Sequence, residues 1–224
     1  MMISLWPQDR VQRILARLAI FAAFLYLALL DLRPWPGDVL LKTAFCLILG
    51  LLAWRAGTRL LPVALIFASI GDALLGLDPQ RLFTAGLASF LVMQILYFAI
   101  FLRRGPPGRP VFGRMLAMAV IGAAAVIYLS LLWPRLGALA FPVAIYVAAI
   151  LAMTLAAWIQ PGLAIPVGAT LFVISDALIA GGRFLGLGPW TGQAIWATYA
   201  LAQILIVLGL TNRNIRVDNQ DRHT

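Results

Sequence analysis

The chain is 224 residues long, 63% hydrophobic and only 11% charged, against the roughly 25% charged and 45 to 50% apolar residues usual in soluble domains. That balance excludes a soluble globule and leaves no room for a soluble domain beside a small bundle of membrane helices. All 8 acidic residues are Asp, and Lys42 is the one lysine among 17 basic residues, so the net charge of +9 is carried by arginine. Cys46 is the single cysteine, which rules out an internal disulfide. His223, near the chain end, is the single histidine, so histidine metal sites and Ser/His or Cys/His nucleophiles lack their parts.

Apolar runs bounded by Arg, Pro and Gly predict an all-α bundle of eight membrane spans. The first runs from about Ile14 to Leu30; no small-residue cleavage site follows it, so it reads as a retained span rather than a signal peptide. Asp38 to Trp54, Leu60 to Leu77 and Phe83 to Leu102 follow. The stretch Arg103 to Arg114, RRGPPGRPVFGR, carries three prolines and reads as a basic cytosolic linker near anionic headgroups. The remaining spans are Met115 to Trp133, Gly137 to Ile159, Leu163 to Ala180 and Trp190 to Leu210. Residues 1–210 thus form one transmembrane domain, and the polar tail 211–224 is expected to be disordered.

Eight spans place both termini on one side. Twelve arginines lie there, including Arg10, Arg55, Arg104, Arg114 and Arg213, whereas the opposite loops hold only Arg33, Arg81, Arg135 and Arg183. The positive-inside rule puts the termini in the cytoplasm, as in a bacterial inner membrane. Trp35, Trp133 and Trp190 fall at outer boundaries and Trp54 and Trp158 at inner ones, as indoles prefer. The arginines are scattered over short flanking loops without interleaved aromatics, so the basic charge points to lipid headgroups and not to nucleic acid.

The run PVALIFASIGD from Pro62 to Asp72 is matched by PVGATLFVISD from Pro166 to Asp176, at an offset of 104 residues without a gap. The same offset carries Lys42 onto Tyr146. Helices 1 to 4 then map onto 5 to 8, a parallel repeat of four helices, about 14–102 and 115–210. Two such units put Asp72 and Asp176 face to face in a shared hollow.

At about 1.5 Å per residue, Asp72, Asp176 and Lys42 lie roughly 6 to 8 Å inside the outer boundary, Tyr146 and Tyr199 roughly 13 Å and Gln94 roughly 16 Å. Gln94 and Tyr97 share a face at i, i+3, as Tyr199 and Gln203 do at i, i+4. An Asp or Lys at a helix centre costs about 2.5 to 3.5 kcal/mol on insertion scales, so function is the default reading for Asp72 and Asp176, with an interhelical clamp as the plainer one. Lys42 either snorkels to the headgroups, holds a carboxylate ionised or meets a substrate phosphate. Tyr146 and Tyr199 lie too deep for belt tyrosines and read as cavity lining. Gln94 and Gln203 fit substrate contact and helix glue equally. Ser69 and Ser175 are expected to bond back to their own helices, and Tyr26 and Tyr128 to pack or face lipid.

Two carboxyl groups close together in low dielectric do not both ionise, which makes an acid and base pair of the kind that works on acetal-like bonds. In these residues the chain is similar to the YhhN family of lysoplasmalogenases, eight-span proteins that cleave the vinyl-ether bond of lysoplasmalogens. The resemblance begins at Gly71 with Asp72, runs through Phe83, Gly86, Phe90, Leu91, Gln94 and Tyr97, and continues at Ile145, Tyr146 and Met153. It closes on Gly168, Ala169, Leu171, Phe172, Ser175 and Asp176, then Tyr199, Gln203 and Leu205. It implies that Asp72 and Asp176 are catalytic, that Lys42, Tyr97, Tyr146, Tyr199 and Gln203 line the site, and that a lysophospholipid is cleaved without metal or organic cofactor. Two positions depart from the family pattern, which commonly has His at Gln94 and Pro at Thr43; Gln cannot shuttle a proton near neutral pH. Two other readings fit the polar pattern: a lipid or small-solute transporter using the Asp pair as a proton relay, and a structural protein whose buried charges fix helix register. No GxxxG face marks an oligomer.

Overall fold

The computed structural model describes residues 6–104 and 112–211, and all regular structure among them is helical. The α-helices are α1 (Arg10–Leu29), α2 (Asp38–Arg55), α3 (Leu60–Leu77), α4 (Phe83–Arg104), α5 (Phe112–Leu136), α6 (Ala140–Trp158), α7 (Ala164–Ala180) and α8 (Thr191–Thr211). Six stretches among the described residues are long and apolar enough to cross a membrane, against the eight predicted. Two facts account for the difference. Asp38, Lys42 and Arg55 leave α2 too charged to qualify. The run Phe112–Trp158 counts as one apolar stretch, although the chain breaks within it at Gly137, where φ is 53°.

Local chemistry sets the boundaries. α1 begins four residues before its predicted start, because the Asp9 carboxylate caps the first turn by accepting from the Gln12 amide at 2.9 Å. Asp78 ends α3 and folds the next turn by accepting from the Gln80 and Arg81 amides. Arg114 is not part of a linker: it lies in α5, and its guanidinium binds the carbonyls of Trp158, Gln160 and Gly162 past the end of α6. Residues 105–111 of the predicted linker and the tail from 212 lie outside the described residues. After α7 the chain widens into one π-helical turn, Gly181–Leu185, which Gly186 ends with a left-handed φ of 70°.

Packing is closest between α2 and α3, α3 and α4, and α7 and α8. α4 also packs against α6, and α8 against α1 and α2. In lipid such contacts rest on close fit. A Cβ at Gly168 would stand 2.9 Å from the Ala202 carbonyl oxygen and 2.9 Å from Ile206 Cγ1. Gly168→Val is therefore expected to cost about 1–3 kcal/mol by forcing α7 off α8, seen as a lower thermal midpoint in detergent; an unchanged midpoint would contradict this packing. α5 is the exception, burying only Leu132 and Leu136 among its 25 residues.

Candidate functional site

Asp72, on the α3 face turned toward α2, is 1% exposed. Its Oδ1 lies 3.0 Å from Lys42 Nζ, and its Oδ2 accepts from the Tyr199 hydroxyl at 2.6 Å and the Cys46 thiol at 3.5 Å. Cys46 Sγ also lies 3.1 Å from the Tyr199 oxygen. Tyr26, Phe45 and Trp196 fill the space around this cluster, with ring centroids 4.3 Å (Tyr26–Trp196) and 5.4 Å (Phe45–Trp196) apart. Cys46 sits one turn from Lys42 on the same face of α2, a spacing legible in the sequence. Lys42 therefore makes an ion pair and does not snorkel.

Asp176 has different surroundings. Its Oδ2 accepts from the Tyr146 hydroxyl at 2.5 Å, and with Tyr146 it lines a cavity of about 380 Å³ walled by α3 to α7. That size falls in the range of about 300–1,000 Å³ usual for small-molecule sites. The lining is otherwise aliphatic and aromatic apart from Thr170 and Tyr128, whose hydroxyls are engaged. Thr170 donates to the Pro166 carbonyl and accepts from Trp158 Nε1, and Tyr128 donates to the Ala177 carbonyl at 2.7 Å. Among the described residues, Asp176 is the one carboxyl group on this wall.

The two aspartates do not share a hollow. Phe90 lines the cavity on one side and packs on Tyr199, 6.0 Å between centroids, so its ring stands between the cavity and the Asp72 cluster. The partners of the two aspartates also differ: Asp72 is paired with the Lys42 ammonium, whereas Asp176 has the neutral Tyr146 hydroxyl.

Of the other predicted residues, Tyr97 donates to Gln203 Oε1 at 2.5 Å and Gln203 Nε2 lies 3.5 Å from Met93 Sδ, a closed chain between α4 and α8 away from the cavity. Gln94 is fully buried, and neither its amide oxygen nor its nitrogen meets hydrogen-bond geometry with a described residue. Ser69 and Ser175 do not bond back to their own helices: Ser69 donates to the Thr43 carbonyl of α2 and Ser175 to the Ile195 carbonyl of α8, each replacing a backbone acceptor of its own with one across the interface. Tyr128 lines the cavity, a place that the irregular apolar pattern of α5 does not foretell.

The model of the YhhN family matches residues 37–210. The chain is 32% identical to a lysoplasmalogenase of Mycobacterium bovis over 202 residues, covering 82% of this chain and 77% of the relative. It is 34% identical to lysoplasmalogenase TMEM86A of Bos taurus over 183 residues, 73% of each chain, and 33% identical to the Homo sapiens protein of the same name. No solved structure matches.

Proposed function

The chain belongs to the YhhN family, and from that premise we propose that it hydrolyses the vinyl-ether bond of lysoplasmalogen-type lysophospholipids, with Asp176 as the acid. The observation that carries the reading is a single carboxyl group on the wall of an otherwise apolar cavity. Tyr146 occupies Asp176 Oδ2, which leaves Oδ1 to carry a proton. The Lys42 ion pair keeps Asp72 ionised, so the pair divides into one acid and one fixed anion.

The alkenyl chain enters the cavity and brings its double bond to Asp176. The carboxylic proton passes to the vinyl carbon remote from oxygen, and the charge left behind is an oxocarbenium ion, stabilised by the Asp176 carboxylate and by the negative charge of Asp72. Water adds to the oxygen-bearing carbon of that ion as the Asp176 carboxylate takes one of its protons, which restores the acid. The hemiacetal then collapses to a fatty aldehyde and a glycerophospho-alcohol. Asp72, walled off by Phe90, acts through its field and not by touching water.

We place the termini in the cytoplasm and the Asp-bearing end outward, on the arginine asymmetry, with the bundle built of two four-helix repeats. The offset of 104 residues that relates Asp72 to Asp176 also relates their partners Lys42 and Tyr146, and each partner contacts its own aspartate. The contact of α4 with α6 likewise has its counterpart in α8 with α2. The cavity lies where α5 would close on α4 as α1 closes on α8. Tyr26, Phe45 and Trp196, which fill the first half, stand opposite Ser130, Ala149 and Val92 in this register.

Purified protein in detergent is tested by aldehyde release from lysoplasmalogen; no release by the wild type would end the reading. Ala125→Phe puts a ring into the cavity from α5, at a residue whose side chain makes none of the hydrogen bonds described above. It is expected to lower kcat/KM at least tenfold while leaving the thermal midpoint near that of the wild type. Unchanged kinetics would place the lipid elsewhere.

A further inference from the structure

The cavity accommodates a chain but offers no partner for a phosphate, and Lys42, the cation nearest the aspartates, is taken by Asp72. The four arginines at the Asp-bearing end differ in what they touch. Arg33 pairs with Asp38 at 3.1 Å and Arg81 with Asp78 at 3.8 Å, while Arg135 donates to the Leu131 carbonyl of its own helix. Arg183 has no carboxylate within ion-pair distance among the described residues. Its guanidinium lies 4.0 Å above the centroid of the Phe83 ring and 5.8 Å from that of Phe184, and both rings line the cavity. One N–H goes to the Pro79 carbonyl at 2.9 Å. A guanidinium has five N–H donors, and stacking on a ring face leaves its edge free to grip an anion.

We propose that Arg183 binds the phosphate of the lysophospholipid whose hydrocarbon chain occupies the cavity. This rests on the reading of the cavity as a lysolipid site. Arg183 follows Asp176 by seven residues, about 10 Å along a helix axis. In the proposed substrate six bonds separate the vinyl-ether carbon from phosphorus, about 7–8 Å when extended, and the arginine side chain spans the difference. Chain in the cavity, double bond at Asp176 and phosphate at Arg183 then fix the register of the substrate. The phosphate, by gripping one charged residue at the rim, selects lysophospholipids over neutral glycerol ethers.

The test is binding, independent of turnover. The full chain in maltoside detergent is titrated with a saturated 1-alkyl lysophosphoethanolamine, with the matched 1-alkylglycerol, and with glycerophosphoethanolamine, which carries phosphate without a chain. The wild type is expected to bind the alkyl lysophospholipid at least tenfold more tightly than either of the others. Arg183→Gln removes that advantage and leaves the alkylglycerol affinity unchanged, Arg183→Lys restores part of it, and Arg135→Gln changes nothing. Equal loss for both chain-bearing ligands in Arg183→Gln would make Arg183 a clamp on Pro79 and overturn the proposal. So would an unchanged preference, or glycerophosphoethanolamine binding as tightly as the lipid. A wild type that binds both chain-bearing ligands equally refutes the phosphate site alone, whereas one that binds neither refutes the lysolipid cavity and the proposal with it.

Discussion

Asp176→Asn is expected to reduce aldehyde release from lysoplasmalogen about 10²–10⁴-fold, the range for loss of a positioned general acid, with the fold intact. The amide oxygen of Asn can still accept from Tyr146, so the hydrogen bond at 2.5 Å survives in kind while the transferable proton is lost. The cavity keeps its volume, and binding of a saturated ether analogue stays near that of the wild type. Turnover within a factor of three of the wild type would remove Asp176 from the reaction. Loss of analogue binding together with turnover would make Asp176 a structural group.

Lys42→Met has the largest expected effect on stability. It leaves the Asp72 carboxylate, only 2% exposed as a side chain, without its cation, and breaking a buried pair by removing one partner costs about 3–5 kcal/mol. Tyr199 and Cys46 still donate to Oδ2, but neither supplies charge. Adding Asp72→Asn should recover most of the loss, because the double variant buries no lone ion. A Lys42→Met protein as stable as the wild type, or a double variant no better than the single one, would contradict the ion pair. Denaturant or thermal titration in detergent measures both.

Much of this was legible in the sequence because membrane helices leave few ways to explain a charge. Asp72, Asp176 and Lys42 stand out at once from apolar runs, and the ion pair and the Tyr146 contact follow the register that Pro62, Pro166 and the aspartates mark. The stretch that the YhhN family model matches, residues 37–210, holds all of these residues. What the sequence hid was the difference between the halves. A repeat suggests equal surroundings for Asp72 and Asp176, yet three aromatic residues fill one side while the cavity opens on the other. The size of a side chain decides this, and whether its neighbours close over it depends on helix tilt, which periodicity does not carry. The same limit hid Tyr128 and the wall made by Phe90. The serines show a further one: a hydroxyl bonds across an interface only where the helices come close, and Ser69 and Ser175 both lie at such places.

An acid on the cavity wall that protonates the vinyl carbon before water adds leaves a solvent-derived hydrogen on that carbon. The most direct measurement is turnover of lysoplasmalogen in D₂O, with the aldehyde reduced to the alcohol as it forms and its deuterium content read by mass spectrometry and NMR. One deuterium is expected on the carbon next to the former aldehyde, in a single configuration, because Asp176 delivers it from one face. Aldehyde released without that deuterium, or a vinyl ether left intact while another bond is cut, would contradict this mechanism.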